Sequence, residues 1–409
     1  MEIGPILRAM WRNKTGACLI ALQIALTLAV VVNSLFIING RIEKMQRPVG
    51  VDAENIFSMR TVPLANDLNV ENFIRNDLRE IRALPGVLEV TPILTYLQSG
   101  SSRMSSYRAM PEKNDDMEVL ANINFVDERG LEALGARLIA GRFFRADEIQ
   151  YITEGFRGMP DKVVVSESMG RKFFPEGDMV GKTIYYSTSA QAITIIGVIS
   201  DVAAAWMAVE LPFFENTYYN FMLQPYIEYD GAARYLIRAE EGQLDSVIPE
   251  VEKTLLQAEP NRLISAVYTQ AEVLERSYSS DRATLLILVT VMSLMIVITG
   301  LGIVGLASFS VSQRTRQIGT RRALGARKRD VLRYFFLENV LLTSIGVVIG
   351  GALTYLLSYL LLTQFGGERL DPLYYPVGVV MLYVLGLVAV YGPAQRAASI
   401  PPAIATRTV

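Results

Sequence analysis

Four stretches of this chain are too long and too apolar to be left in water. Residues 17–38, "ACLIALQIALTLAVVVNSLFII", carry no charge and are interrupted only by Gln23, Asn33, Ser34 and one threonine. Residues 284–309 and 340–362 are likewise uncharged. The fourth stretch, 373–391, is shorter and places Tyr374, Tyr375 and Tyr391 near its ends, where interfacial rings belong, with Tyr383 near its middle. About 20 helical residues cross the roughly 30 Å hydrocarbon core of a bilayer. Each stretch is therefore expected to be a membrane-spanning helix. Composition agrees, since 51% of the residues are hydrophobic and only 20% charged, less charge than the usual soluble domain carries. A net charge of −2 offers no general attraction to nucleic acid.

Arg8, Arg12 and Lys14 precede the first stretch, as they would in a cleaved signal peptide. The apolar run is longer than a signal core, however, and "NSLFIINGR" has no small-x-small cleavage site, so it reads as a retained anchor. Loops rich in Lys and Arg stay in the cytoplasm. Residues 1–16 set those three cations against Glu2, and residues 310–333 set eight basic residues against Asp330. The tail after 391 has Arg396 and Arg407 and no acid, whereas the turn 363–372 holds Glu368, Arg369 and Asp371. These values alternate across four crossings, placing both termini and 310–333 inside and the large region 41–282 outside.

Several activities find no support in the residues. The only cysteine is Cys18 and there is no histidine, which removes internal disulfides, the usual general base and the commonest metal ligand. No G-x-x-x-x-G-K-[ST] loop is present, and Gly300, Gly302 and Gly305 lie inside a span, where small residues serve helix packing. Catalytic, cofactor-binding and metal-ligating residues are accordingly expected to be none.

The outer region is long enough for a two-part α+β domain. Val70, Phe73, Ile74, Leu78, Ile81 and Leu84 have helical spacing, closed by Pro85-Gly86 and followed by a strand. Strand-like runs recur at 162–167, 182–187 and 192–200, and 97–110 reads as an exposed loop. Residues 233–269 read strand, helix, strand, with Leu244, Val247, Ile248, Val251, Leu255 and Leu256 on one helix face. The following "QAEVLERSYSSDRATLL" is expected to run as one helix into the second span and to transmit movement. The aromatic stretch 206–229 suits either a substrate or adaptor rim or a packed core.

Further along, "SVSQRTRQIGTRRALGARKRDVLRYFFLENVLLTSIGVVIGG" (310–351) resembles the signature region of the FtsX-like permeases. The segments "LEALGARLIAGRFFRADE" (131–148) and "DKVVVSESMGRKFFPEGDMVGKTIYYSTSAQAITIIGVISDV" (161–202) resemble the MacB-type periplasmic core domain. The closing "YGPAQRAASIPPAIATR" (391–407) is similar to the end of that family. The resemblance implies an α-helical membrane protein with four transmembrane helices and a large α+β extracytoplasmic domain, in the bacterial inner membrane. Such permeases are mechanotransmitting ABC components that pair as homodimers, or as heterodimers with a second FtsX-like permease. ATP and magnesium are then expected in a cytoplasmic ABC ATPase. As the chain opens on its membrane part, that ATPase is expected to be a separate subunit. MacB-type members export drugs, peptides or toxins with a periplasmic adaptor and an outer-membrane channel; relatives extract lipoproteins or regulate cell-wall enzymes.

The expected organisation is a cytoplasmic amphipathic helix (1–16), a first span (17–38), a periplasmic core with stalk (39–283), a second span (284–309), a coupling segment with the start of the third helix (310–339), a third span (340–362), an outer turn (363–372), a fourth span (373–391) and a cytoplasmic tail (392–409). In the leader, Ile3, Ile6, Leu7, Met10 and Trp11 share one helical face, which suits the membrane interface; a disordered leader is the alternative.

Under the resemblance, Arg314, Arg316, Ile318, Gly319, Arg321, Arg322, Ala323, Leu324, Gly325 and Ala326 would form a short helix docking on the ATPase, its arginines facing acidic groups or lipid phosphates. The alternative is a plain positive-inside loop. Glu338 at the mouth of the third span is expected to pair with an arginine of that loop or to couple conformations, in preference to relaying protons. Gly141, Arg142, Phe143, Phe144 and Asp147, with Phe174, Pro175, Gly177, Gly181 and Ile184, match the family's periplasmic pattern and read as fold markers.

Overall fold

A computed structural model describes residues 14–64, 69–112, 118–153, 158–189, 191–206, 216–365 and 369–401. The amphipathic leader with Ile3 to Trp11, residues 207–215 of the aromatic stretch, Glu368 and Arg407 lie outside the described residues. The chain divides into two compact units, Arg47–Ser280 and the combination of Met1–Gln46 with Asp281–Val409.

The first span belongs to helix α1 (Lys14–Met45). After it, the outer unit is built on a four-stranded sheet of β1 (Ile56–Pro63), β2 (Val87–Pro92), β12 (Ala233–Ala239) and β13 (Arg262–Thr269), in the order β13-β1-β12-β2 with antiparallel neighbours. Helix α2 (Val70–Arg82) links β1 to β2, and α5 (Leu244–Ala258) links β12 to β13. This is the split β-α-β arrangement of a ferredoxin-like sheet. The strand-helix-strand read in 233–269 is present, but its two strands do not touch, because β1 lies between them.

Local chemistry accounts for the helices. The Asn69 side chain accepts the Asn72 N–H at 3.0 Å, capping α2. Phe73, Ile74, Leu78 and Ile81 of α2 then share a core with Val247, Val251 and Leu255 of α5 and with Phe57, Met59 and Ile237 of the sheet.

Between β2 and β12 the chain inserts a second sheet: β3 (Arg103–Arg108), β4 (Val119–Phe125), β5 (Leu138–Gly141), β7 (Lys162–Ser166), β8 (Thr183–Tyr186), β9 (Ala192–Ile199) and β10 (Phe221–Gln224). Because β8 pairs with both β3 and β9, six of these strands close on themselves and leave only β5 outside the ring. Closure removes exposed edges. The ring is filled by Tyr107, Ile123, Val163, Ile184, Ile193 and Met222. Helices α3 (Gly130–Leu134) and α4 (Glu167–Phe173) and the parallel pair β6 (Gln150–Thr153) and β11 (Tyr226–Tyr229) complete the insertion. Residues 103–108, expected within an exposed loop, form β3, because Tyr107 is buried against Tyr186 in the ring core.

Helix α6 (Gln270–Ser277) starts with a capping box between Thr269 and Glu272 (3.2 and 3.0 Å). It does not run unbroken into the second span. Tyr278 leaves helical geometry at φ −92°, ψ 7°, and α7 starts at Ser279. Packing imposes the break: Ser277 Oγ donates to Gln98 O, and the buried Tyr278 ring lies beside Tyr218.

The remaining helices are α7 (Ser279–Ala323), α8 (Lys328–Phe365) and α9 (Tyr374–Ala398). With α1 they make, among the described residues, four helices long and apolar enough to cross a membrane. In α8, Gly346 and Gly350 lie four residues apart against α1: a methyl at Gly346 would strike Ile24, and one at Gly350 would touch Ala25 at 3.0 Å. Small residues at this spacing let two helix backbones approach closely, which is how helices associate in lipid. Polar side chains add ties, with Thr27 and Thr299 hydroxyls 2.7 Å apart and Asn33 Nδ2 donating to Thr354 O at 3.2 Å. At the other end of the same helices, Asp281 of α7 is buried in an ion pair with Arg41 of α1, and Lys44 lies 3.8 Å away.

Candidate functional site: a basic helical hairpin

Residues 310–323 do not form a separate short helix. They continue α7 without interruption to Ala323, and residues 324–327 turn the chain into α8. Nothing between the span and Ala323 breaks a helix, whereas Leu324-Gly325 does.

Gly325 has φ +97°. The Ala326 N–H donates to Arg321 O and the Gly325 N–H to Arg322 O, both at 3.1 Å, which is a Schellman turn. Asp330 then accepts the Arg327 N–H at 2.9 Å and caps the first turn of α8. The Gly and Asp of "ALGARKRD" are thus required by the turn itself.

Glu338 of α8 lies against Arg314 of α7. Arg314 of α7 forks onto its carboxylate, Nη1 to Oε2 at 3.1 Å and Nη2 to Oε1 at 3.2 Å, and also donates to Tyr334 Oη at 2.9 Å. The two side chains are only 18% and 11% exposed. A planar guanidinium suits such a two-point contact, where a lysine would act as a point charge. Arg321 adds a cation over the Tyr334 ring, 5.8 Å from its centroid.

The other signature residues separate into two groups. Ile318 and Gly319 are buried, Ile318 in one core with Val331, Phe335, Ala394 and Ala397. Arg322 donates to Ile400 O at 2.6 Å, tying the hairpin to the end of α9. By contrast, Arg316, Ala323, Leu324 and Gly325 face outward, Ala326 is half-buried, and Leu324 is 84% exposed. The hairpin is therefore anchored by Arg314, Ile318 and Arg322 and presents Leu324 at its tip among cations.

In the outer unit the residues read as markers occupy turns and core. Gly141 ends β5, where a methyl group would strike Ile196 O. Arg142 forks onto Glu148 with two contacts of 2.7 Å, and Lys162 adds a third of 2.7 Å. These cations hold the Glu148 carboxyl well below the usual range. Phe144 and Ile184 are buried, whereas Asp147, Pro175, Gly177 and Gly181 are exposed and Phe174 packs at the ring's margin. In the described part of the aromatic stretch Trp206, Phe221 and Tyr226 are buried, with Trp206 Nε1 donating to Thr217 at 2.8 Å, whereas Tyr218, Tyr219 and Tyr229 are half-buried.

Two buried charge clusters escaped the sequence reading. Asp77 accepts two bonds from Arg262, at 2.7 and 2.9 Å, and one from Tyr235 at 2.7 Å. Asp127 accepts from Arg82 at 2.7 Å and Thr91 at 2.8 Å, and burial pushes its carboxyl up to about 6. The available signal was position, since Asp77 falls on the buried face of α2 beside Ile74 and Leu78. Among the described residues no group of three or more His, Cys, Asp or Glu side chains is placed to hold a metal ion.

Comparison with known proteins gives consistent matches. Residues 17–270 match the MacB-like periplasmic core domain, and residues 289–402 match the FtsX-like permease C-terminal family. The macrolide export ATP-binding/permease protein MacB of Chromobacterium violaceum is 26% identical over 427 residues, covering 98% of this chain and 61% of that protein. Its namesake in Hahella chejuensis is 24% identical over 405 residues, covering 96% of this chain and 58% of that protein. The chain thus spans about three fifths of the length of these relatives. Among solved structures, the periplasmic region of MacB from Actinobacillus actinomycetemcomitans covers 56% of this chain and 94% of its own, at 14% identity and a TM-score of 0.32.

Proposed function

The chain belongs to the MacB-like, FtsX-type family of ABC permeases, and from that membership we propose that it is the permease part of an ABC efflux system. In this reading it lies in the bacterial inner membrane with both termini and the basic hairpin in the cytoplasm and the unit Arg47–Ser280 in the periplasm. It pairs with a second permease, a copy of itself or a relative. A cytoplasmic ABC ATPase supplies ATP and magnesium chemistry, and the outer unit works with a periplasmic adaptor and outer-membrane channel to expel drugs, peptides or toxins.

The observation that carries the proposal is the anchored hairpin. Leu324 stands 84% exposed at a tip flanked by Arg316, Arg321 and Arg327, an apolar knob within a cationic collar suited to an acidic-rimmed pocket on the ATPase. The Arg314–Glu338 fork joins the cytoplasmic ends of α7 and α8, so a push on the tip is delivered to both helices together. At 1.5 Å per residue, α7 with its 45 residues extends about 68 Å. That exceeds the bilayer and leads to the outer unit through the single non-helical residue Tyr278.

The test follows from which signature residues are exposed. Gly319 is buried, so a bulky acid there would disrupt the bundle; Leu324→Asp with Arg316→Glu alters only the outward face. Removing a buried leucine contact of about 1.5–3 kcal/mol predicts at least tenfold weaker association of the copurifying ATPase and loss of transport-coupled ATP hydrolysis. Topology, read from reporter fusions, should be unchanged. Undiminished coupling in this variant rejects the docking role. Recovery of a cell-wall hydrolase in place of an adaptor among the native companions would instead reject efflux.

A further inference from the structure

The cytoplasmic end of α8 carries a surface feature that the hairpin does not use. Arg329, Leu332, Arg333, Phe336, Leu337 and Val340 line a shallow, open furrow along one face of the helix. Their spacing puts all six on one helix face. Arg329 and Arg333 are exposed, whereas Leu332, Phe336, Leu337 and Val340 are half-buried.

Neither guanidinium has a hydrogen-bond or ion-pair partner among the described residues, in contrast to Arg314 and Arg322. The nearest acid in sequence, Asp330, is occupied as the cap of the Arg327 N–H. Beyond the two cations the wall of the furrow is entirely apolar.

We propose that this furrow seats an anionic phospholipid of the leaflet in which the hairpin lies, its phosphate on Arg333 and Arg329 and one acyl chain along Leu332, Phe336, Leu337 and Val340. Depth favours lipid over a protein partner. Residues 339–365 carry no charge, and this run alone exceeds the 20 residues needed to cross the hydrocarbon. Arg333 therefore lies about 9 Å outside its margin, at headgroup level for a side chain that can extend along the helix. Val340, about 16 Å from Arg329 along the axis, is already in hydrocarbon, where a cytoplasmic protein does not reach. Charge favours an anionic over a zwitterionic lipid, because two cations converge on the furrow and none of its lining residues is acidic.

Full-length protein in detergent, titrated with dioleoylphosphatidylglycerol and followed by native mass spectrometry, tests the seat. Wild type should retain this lipid over dioleoylphosphatidylcholine. Arg329→Gln with Arg333→Gln should weaken retention about thirtyfold, the scale of two headgroup-level cations, while Arg316→Gln with Arg327→Gln, equally basic but outside the furrow, should change it less than twofold. Val340→Trp keeps both arginines and fills the apolar end, and should also weaken retention severalfold; circular dichroism checks that each variant is folded. Equal retention of the two lipids, equal loss in the control pair, or no effect of Val340→Trp overturns the assignment. So does a furrow variant that sheds the ATPase yet keeps the lipid, which would give the arginines to a protein contact.

Discussion

Replacing Asp77 by asparagine removes the charge that Arg262 was buried to meet. Asp77 is fully buried and Arg262 only 1% exposed. The pair, with Tyr235, ties α2 to β12 and β13 through three hydrogen bonds. In the variant the guanidinium keeps its Nε bond to Glu259 O at 3.1 Å and its seat over the Phe73 ring at 4.6 Å, but it has no anion. Breaking one side of a buried pair costs about 3–5 kcal/mol. For a unit the size of Arg47–Ser280, where about 1 kcal/mol shifts the Tm by about 2–4 °C, the midpoint should fall by about 6–20 °C. Trp206 is buried in this unit, so a thermal scan of its fluorescence in a Trp11→Phe background, at matched scan rates, reads the change. Tyr235→Phe should cost less, about 1.5–3 kcal/mol, because it removes one charge-assisted bond and leaves the pair intact. Asp77→Leu with Arg262→Met should recover most of the loss, since apolar replacement removes both desolvation penalties. A single-variant shift below about 2 °C, or a double variant as unstable as the single, would refute the claim that an unpaired buried cation dominates the cost.

Gly350→Leu should separate α1 from α8 and destabilise the bundle by about 1–3 kcal/mol, measured as lower resistance to SDS-induced unfolding. Gly325→Val forces a β-branched residue to φ +97° and should cost about 1–2 kcal/mol locally, visible as faster proteolysis at the hairpin; an unchanged cleavage rate would contradict the Schellman turn. The Asp127 carboxyl is raised by burial to about 6, against an ordinary 3.8. A raised folded pKa stabilises at low pH and loses that contribution as pH climbs from about 4 through 6. The wild-type Tm, compared with Asp127→Asn, should therefore gain on going from pH 7.5 to 4.5, and a difference independent of pH would show that the carboxyl does not titrate there.

Much of the local structure was legible. Helix α2 followed from the spacing of Phe73, Ile74, Leu78 and Ile81, and the four spans from unbroken apolar length, because periodicity and burial in lipid act within one segment. The capacity of Glu338 to pair was legible too, since a carboxylate at the mouth of a span needs a cation. Which arginine would meet it was not, because eight basic residues between 310 and 333 were available and only the crossing of α7 and α8 selects Arg314. The separate docking helix was misread for a related reason. Arginines interrupted the apolar pattern, but charge does not end a helix, and α7 stops only where Gly325 adopts a conformation that other residues resist.

The sequence by itself determined the membrane class and the separation into spans and outer region, both consequences of short-range hydrophobicity. Only the tertiary structure decided that β1 would lie between β12 and β13, that a closed ring would be inserted between β2 and β12, and that Asp77 would find Arg262 across 185 positions. A residue's pattern states which face it must bury. The partner that covers that face is chosen by the packing of all the segments at once.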